Sequence, residues 1–309
     1  MKQSATSRIT IGAAGDASPR LDPAPASAED EAVALLRIAA EVEGAMVAQY
    51  LFGAASLLPG INVQVPGFDH RVQSDDWYDL IRLMAKQEMG HLVTVQNLLL
   101  SLGAAPHLDR ENFPATSPLY PFPFSLQPVR LSSIARFVCA EAPRAIAAAD
   151  QADYADAVRE AKTGGSDVVR AGLIYERLYW LLQDGDAAQD PWRDLQNPLP
   201  EWPAWHVDPG KIGLNQDRQA TPAEWRGQSD EEAADTAIYV LQVQDKAAAR
   251  KALYAIAMQG EGPVGAAGVT HFDKFLRIFR ELRAVAGQAG VPGFVRDQAD
   301  DPRTGPSAR

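Results

Sequence analysis

The sequence predicts an all-α fold, a helical bundle carrying a long irregular loop insertion, and three observations lead there. Apolar residues recur at helical spacing in segment after segment, while strand-like alternation is scarce. Pro and Gly clusters punctuate those segments, among them Pro59-Gly60, PATSPLYPFPFSLQP, Gly164-Gly165 and GEGPVGAAG. No internal repeat divides the 309 residues, so one bundle is the simplest arrangement.

Taken in order, residues 1–26 are rich in Ala, Ser, Pro and Gly and are expected to form a flexible N-terminal segment. The helical domain is expected over 27–288. Ser27, with Asp30 three residues on, is placed to cap a first helix that runs to about Leu58 and stops at Pro59-Gly60. Residues 59–74 read as a loop. The second helix covers about 75–102, with Gly103 as its stop. A Pro-rich link follows. Helical patterns resume over about 131–162, with Pro143 a kink or break, and again over 166–184. The stretch 185–229, with its Trp, Pro and Asp residues, lacks periodicity and reads as a loop over one end of the bundle; loops of that length in compact domains are often functional. A helix is expected over 230–259 and a last one over 271–287, capped by Thr270 with Asp273. Residues 289–309 read as a flexible tail.

Composition excludes several classes. A formal net charge of −11 and no basic cluster argue against nucleic acid as a partner. No run of 18 uncharged apolar residues is present, so no membrane span is expected. The single Cys139 excludes an intramolecular disulfide framework and a multi-Cys zinc site, and fits a cytoplasmic location. The N-terminal residues contain no apolar signal region.

Chemistry enters with KQEMGHL. Glu88 and His91 stand three apart, on one helix face, inside the apolar stripe of IRLMAKQEMGHLVTVQNLLLSLG. An ionised carboxylate there is costly unless paired or bound to metal; a core histidine bonded to its neighbour is the bland alternative. Other helices carry similar residues. Glu43 lies within the stripe of AAEVEGAMVAQYLFGAA, and Glu41 on its outer side. Glu176 sits among Val169, Leu173, Tyr179 and Trp180, with a salt bridge to Arg177 as its alternative. Glu141 lies behind Phe137 and Val138, but Arg144 three residues later offers it a local ion pair. His271 heads the stripe of Phe275, Ile278 and Phe279, and Glu261 stands between two glycines in QGEG, where the alternative is an exposed turn residue. The candidate metal ligands are therefore Glu43, Glu88, His91, Glu176, Glu261 and His271, with Glu141 as the alternate third-helix ligand. Tyr50, Tyr175, Tyr179 and Trp180 fall at spacings that line a pocket or fill a core. His70, His107 and His206 read as loop or surface residues, His206 being the one placed to line an access path. Carboxylates from separate helices with a Glu-x-x-His are the pattern of di-iron carboxylate bundles, and this mixture of oxygen and imidazole donors suits Fe or Mn.

Several segments resemble the ferritin-like domain of the iminophenyl-pyruvate dimer synthase group, known from violacein and indolocarbazole assembly. They are LLRIAAEVEGAMVAQYL, LIRLMAKQEMGHLVTVQNLLLSLGAAPHL, SSIARFVCAEAPRA, AGLIYERLYWLL, ADTAIYVLQVQDKAAARKALYAIAMQGEG and THFDKFLRIFREL, in the family's order over most of residues 31–285. The resemblance implies a ferritin-like bundle with a metal site and oxidative coupling of amino-acid-derived imines. The chain departs from the family at Glu43-Gly44, where Glu-His is usual, and at Gly172-Leu173-Ile174-Tyr175, where Gly-Glu-x-Tyr is usual. Together these readings lead to an O2-using di-iron oxidoreductase of secondary metabolism, acting on a small amino-acid-derived or aromatic metabolite. Its expected partners are that substrate and O2; a homo-oligomer is left open. The competing readings are a non-catalytic ferritin-like metal-storage or stress protein, and a metal-free scaffold whose inward charges pair with Arg or Lys.

Overall fold

The computed structural model describes residues 8–10, 20–22, 24–117, 120–164, 168–183, 205–224, 237–260, 270–286 and 293–302. The described residues are mostly helical and form an all-α bundle: α1 (Ala28–Ser56), α2 (Ser74–Ser101), α3 (Leu131–Ala140), α4 (Gln151–Ala161), α5 (Gly172–Leu181), α6 (Lys246–Gly260) and α7 (His271–Ala286). Two small antiparallel ribbons accompany them. β1 (Arg8–Thr10) pairs with β2 (Arg20–Asp22) inside the expected flexible N-terminal segment, and β3 (Asn62–Gln64) pairs with β4 (Arg71–Gln73) inside the 59–74 loop. None of the described helices is long and apolar enough to cross a membrane.

The caps follow from the sequence. The amide of Asp30 donates to Ser27 Oγ at 3.1 Å, satisfying one of the free N–H groups at the start of α1. Thr270 and Asp273 exchange bonds in the same way at the head of α7. At the end of α2, Gly103 takes a positive φ of 75°, and the Ala104 amide reaches back to the Leu99 carbonyl at 3.0 Å. A glycine accepts that left-handed conformation without the Cβ clash that other residues meet.

α1 and α2 form the largest pairing and run antiparallel: Gly44 faces Leu92, whereas Gly60 binds Asp75 near the start of α2. α3 and α7 pack on each other, and α5 lies against α1 and α6. The core is a continuous cluster in which Trp77, Tyr50, Met84, Leu99, Phe275 and Phe279 are almost wholly buried. Buried Glu31 is matched by buried Arg177, 2.6 Å away, and by the indole N–H of Trp205 at 2.7 Å. Pairing of this kind is what makes two interior charges tolerable.

At Pro143, where a kink or break was expected, the helical stretch 131–162 divides into α3 and α4 with a turn between them. The structure departs from expectation in two other places. The helix expected over 230–259 begins only at Lys246, where the Asp245 side chain accepts the Ala248 amide at 2.8 Å. Residues 237–243 are instead an extended strap along α2. Thr94 Oγ1 donates to the Tyr239 carbonyl and accepts the Leu241 amide, while Asn97 Nδ2 donates to the Leu241 carbonyl. These bonds replace the ones a helix would have given the strap, as buried backbone groups require. Residues 225–236 lie outside the described set.

The second departure is the tail. Leu57 and Val295 form an antiparallel bridge, Phe294 stacks on Trp77 with ring centroids 4.8 Å apart, and Asp301 accepts the Leu126 amide at 2.7 Å. Residues 293–302, expected to be flexible, are thus fastened to the first two helices and the Pro-rich link. Within the 185–229 loop the described part, 205–224, docks on the ends of α5 and α2 through Val207 N to Leu181 O and Leu214 N to Ser101 O.

Candidate metal centre

α1, α2, the end of α3 and the start of α7 each send a side chain to one buried point. Glu43 comes from the middle of α1, Glu88 and His91 from adjacent turns of α2, Glu141 from the residue capping α3, and His271 from the first position of α7. All five are 5% exposed or less. Their ligand atoms form two groups, Glu43–Glu88–His91 and Glu88–Glu141–His271, each within 4.8 Å and sharing Glu88.

Glu88 sits at the centre. Its Oε2 is 2.8 Å from His91 Nδ1, and its Oε1 is 2.9 Å from His271 Nδ1. Glu43 Oε2 lies 3.6 Å from His91 Nδ1, and Glu141 Oε1 lies 3.7 Å from His271 Nδ1. The imidazoles stack with centroids 5.7 Å apart. Glu43 Oε2, Glu88 Oε1 and His271 Nδ1 are buried without a hydrogen-bond partner. Orphaned buried polar atoms are rare in folded proteins and call for an explanation, an ion among them. His91 Nδ1 and Glu88 Oε2 are hydrogen-bonded to each other, but the short contact between Glu88 Oε1 and His271 Nδ1 lacks the direction of a hydrogen bond and leaves both atoms without a partner.

Two phenols close the outer side. Tyr50 donates to Glu141 Oε1 at 2.6 Å, and Tyr175 donates to Glu43 Oε1. Glu43 therefore spends Oε1 on Tyr175 and turns Oε2 toward His91, whereas in Glu141 the oxygen that accepts from Tyr50 is also the one facing His271. Burial pushes both phenol pKa values well above 10.0, with the Glu141 charge adding to it at Tyr50 and the Glu43 charge at Tyr175; both stay protonated donors. Burial and the Glu88 charge push the Glu43 carboxyl up to about 8, and the same two causes raise Glu141. Burial would raise Glu88 as well, but His271 and His91 hold it well below the carboxylate range. Against burial, Glu88 raises both imidazoles.

A cavity of about 20 Å³ opens among Glu43, Glu88, His91 and Glu141 and is walled by Tyr175 and by small residues of α5 and α6. That is room for about one water-sized molecule. Gly260 leaves room for Glu141 at this wall, since a Cβ there would stand 3.0 Å from Glu141 Oε2.

Of the sequence-derived ligands, the structure brings together Glu43, Glu88, His91 and His271, and adds Glu141 as the third-helix carboxylate. Glu176 is elsewhere: Arg170 Nη2 holds its Oε1 at 2.9 Å. Glu261 lies outside the described residues. The local ion pair that favoured discounting Glu141 depends on helical spacing to Arg144, and α3 ends before Glu141. Among the pocket candidates, Tyr175 lines the cavity and Tyr50 binds Glu141. Tyr179 is core, and Trp180 packs on the His206 ring at 5.2 Å. His107 pairs with Glu41, and His70 with the buried Glu281. Gln87 and Gln259 contact the two clustered histidines, and the one cue to them in the sequence is a Gln directly before Glu88 inside a buried stripe.

A family model described as Ferritin-like matches residues 36–280. No curated protein and no solved structure matches the chain.

Proposed function

The chain belongs to the ferritin-like family, and from that premise we propose that it is a non-heme metal oxidoreductase, with a pair of iron ions as the first candidate and manganese as the second. The observation that carries the reading is the convergence of Glu43, Glu88, His91, Glu141 and His271 with three of their donor atoms unpaired. The donors fit such a group: carboxylate oxygen and imidazole nitrogen in a buried site, with no thiolate among them. Glu43 and His91 would hold one ion, Glu141 and His271 the other, and Glu88 would serve both. When bound, reduced iron supplies the electrons that dioxygen takes up.

The chain's own groups supply the rest. The Tyr50 and Tyr175 hydroxyls orient the outer carboxylates. Met46, Ile256 and Ala257 give the cavity an apolar wall that keeps bulk water away from the charged cluster. Tyr175, with its O–H on Glu43 and its ring in the cavity wall, holds a proton beside the reacting space. The similarity to the iminophenyl-pyruvate dimer synthase group supports an amino-acid-derived or aromatic substrate and a role in secondary metabolism. The cavity, with room for about one water-sized molecule, matches O2 rather than the organic substrate.

The test combines elemental analysis with oxygen uptake. After anaerobic reconstitution with ferrous iron, the protein is expected to retain about two metal ions per chain and to consume O2 with a change in its absorption spectrum. Failure to retain iron or manganese would exclude the metal centre. Retention with ferrous oxidation, but no stimulation by any aromatic or amino-acid-derived compound, would favour storage.

A further inference from the structure

The two clustered histidines are backed by two glutamines that share one backbone anchor. His91 Nε2 lies 2.9 Å from Gln259 Oε1, and His271 Nε2 lies 3.0 Å from Gln87 Oε1. The far ends of the two amides identify those oxygens. Gln259 Nε2 donates to the Ala237 carbonyl at 2.8 Å, and Gln87 Nε2 donates to that carbonyl at 3.0 Å. A carbonyl only accepts, so each amide turns its nitrogen to Ala237 and its oxygen to an imidazole. An amide oxygen also only accepts, so each imidazole carries a proton on Nε2. In the neutral ring the lone pair is then on Nδ1, the atom that faces the carboxylates.

We propose that Gln87 and Gln259, joined through the Ala237 carbonyl, are positioning residues that fix His271 and His91 as Nδ1 donors toward a pair of metal ions. The proposal rests on the metal-centre reading above. Histidine ligands commonly give their second N–H to an acceptor that sets ring orientation. Here the acceptors are neutral amides, which add no charge to a site already holding Glu43, Glu88 and Glu141. The arrangement also crosses the site. α2 supplies the amide for the histidine of α7, and α6 supplies the amide for the histidine of α2. Because both amides hang on Ala237, the first described residue of the strap along α2, the lie of that strap governs both histidines together.

The test uses the full-length protein, stripped of metal and titrated with Co2+ against a competing chelator, then observed by proton NMR in the Co2+-loaded state. The wild type is expected to show two hyperfine-shifted, solvent-exchangeable Nε2–H signals. Gln87→Met should remove the His271 signal and Gln259→Met the His91 signal, each weakening Co2+ binding about 10- to 100-fold. Gln259→Glu, which keeps an acceptor for His91 but gives up the bond to Ala237, should retain the His91 signal while binding Co2+ more weakly than the wild type. The double Met variant should lose less than the product of the single losses, because the amides share one anchor. Circular dichroism checks folding. If the Met variants do not fold, two exchangeable signals in the wild type still support the proposal, and their absence in a two-cobalt protein overturns it. Met variants that keep both signals and full affinity overturn it while leaving the metal centre intact. A wild type that takes up no Co2+ removes the metal centre itself, and the proposal with it.

Discussion

Glu141 and Glu176 illustrate how much a single carboxylate's neighbours decide. Both are buried glutamates in apolar helical surroundings, yet one faces His271 and the other Arg170. Glu141→Gln is therefore expected to cost the second of two Co2+ equivalents in an equilibrium titration. Glu176→Gln should leave both equivalents and instead lower stability by about 1–3 kcal/mol, the range for a hydrogen bond to a charged group, measured by urea unfolding. The cluster also predicts a pH dependence. Glu43, raised from 4.5 to about 8, binds a proton in the folded state that the unfolded chain has released, so its contribution is lost as pH rises between those values. His91 and His271, raised from 6.5, likewise stabilise the fold below 6.5 and lose that contribution as pH rises through their folded values. Glu88, lowered from 4.5, acts in the opposite direction and only below that value. The metal-free protein should thus melt at progressively lower temperature from about pH 5 to pH 8. Metal binding releases these protons, so the gap in melting temperature between loaded and metal-free protein should widen over the same range. A constant gap would count against the cluster as the metal site.

At the scale of elements, α2 holds more of the design than its apolar face suggests. Gln87, Gly90, Thr94, Asn97 and Ser101 recur at alternating intervals of three and four, a polar and small stripe along one buried face. That stripe receives the strap 237–243 and, through Asn97, the backbone of Ala220. At Gly90 the strap comes so close that a Cβ would stand 2.8 Å from both Ile238 Cγ2 and the Tyr239 carbonyl. Gly90→Ala should therefore destabilise by about 1–3 kcal/mol in urea unfolding. The helix, its stop at Gly103 and the inward placing of Glu88 and His91 were all legible from spacing, because those features depend on neighbours within the same segment. The polar stripe and the segment it receives were not read from that spacing. AIYVLQV shows helical periodicity and is rich in β-branched and aromatic residues, and only the waiting hydrogen-bond groups of α2 decide that it lies extended.

Across the whole molecule, distant stretches close the bundle. Residues 293–302 return to the loop end of α1 and the start of α2, and Phe294 covers Trp77, whose indole N–H reaches Glu281 of α7 at 2.6 Å. Phe294→Ala should cost about 3–5 kcal/mol, the usual range for emptying a buried aromatic site, with a matching fall in the urea midpoint. Polar composition made this stretch look like a free tail, since a pair of backbone bonds and one aromatic ring leave little trace in an average over twenty residues.

The sequence by itself determined the all-α class, the helix caps, and the presence of Glu43, Glu88, His91 and His271 on inward faces, because each of these is a property of spacing within one segment. Tertiary structure alone decided that Glu141 rather than Glu176 joins them, that two glutamines stand behind the histidines, and that the stretch before α6 is extended. Those choices depend on which buried polar groups come within bonding distance after the helices pack, and a linear pattern carries no such distances.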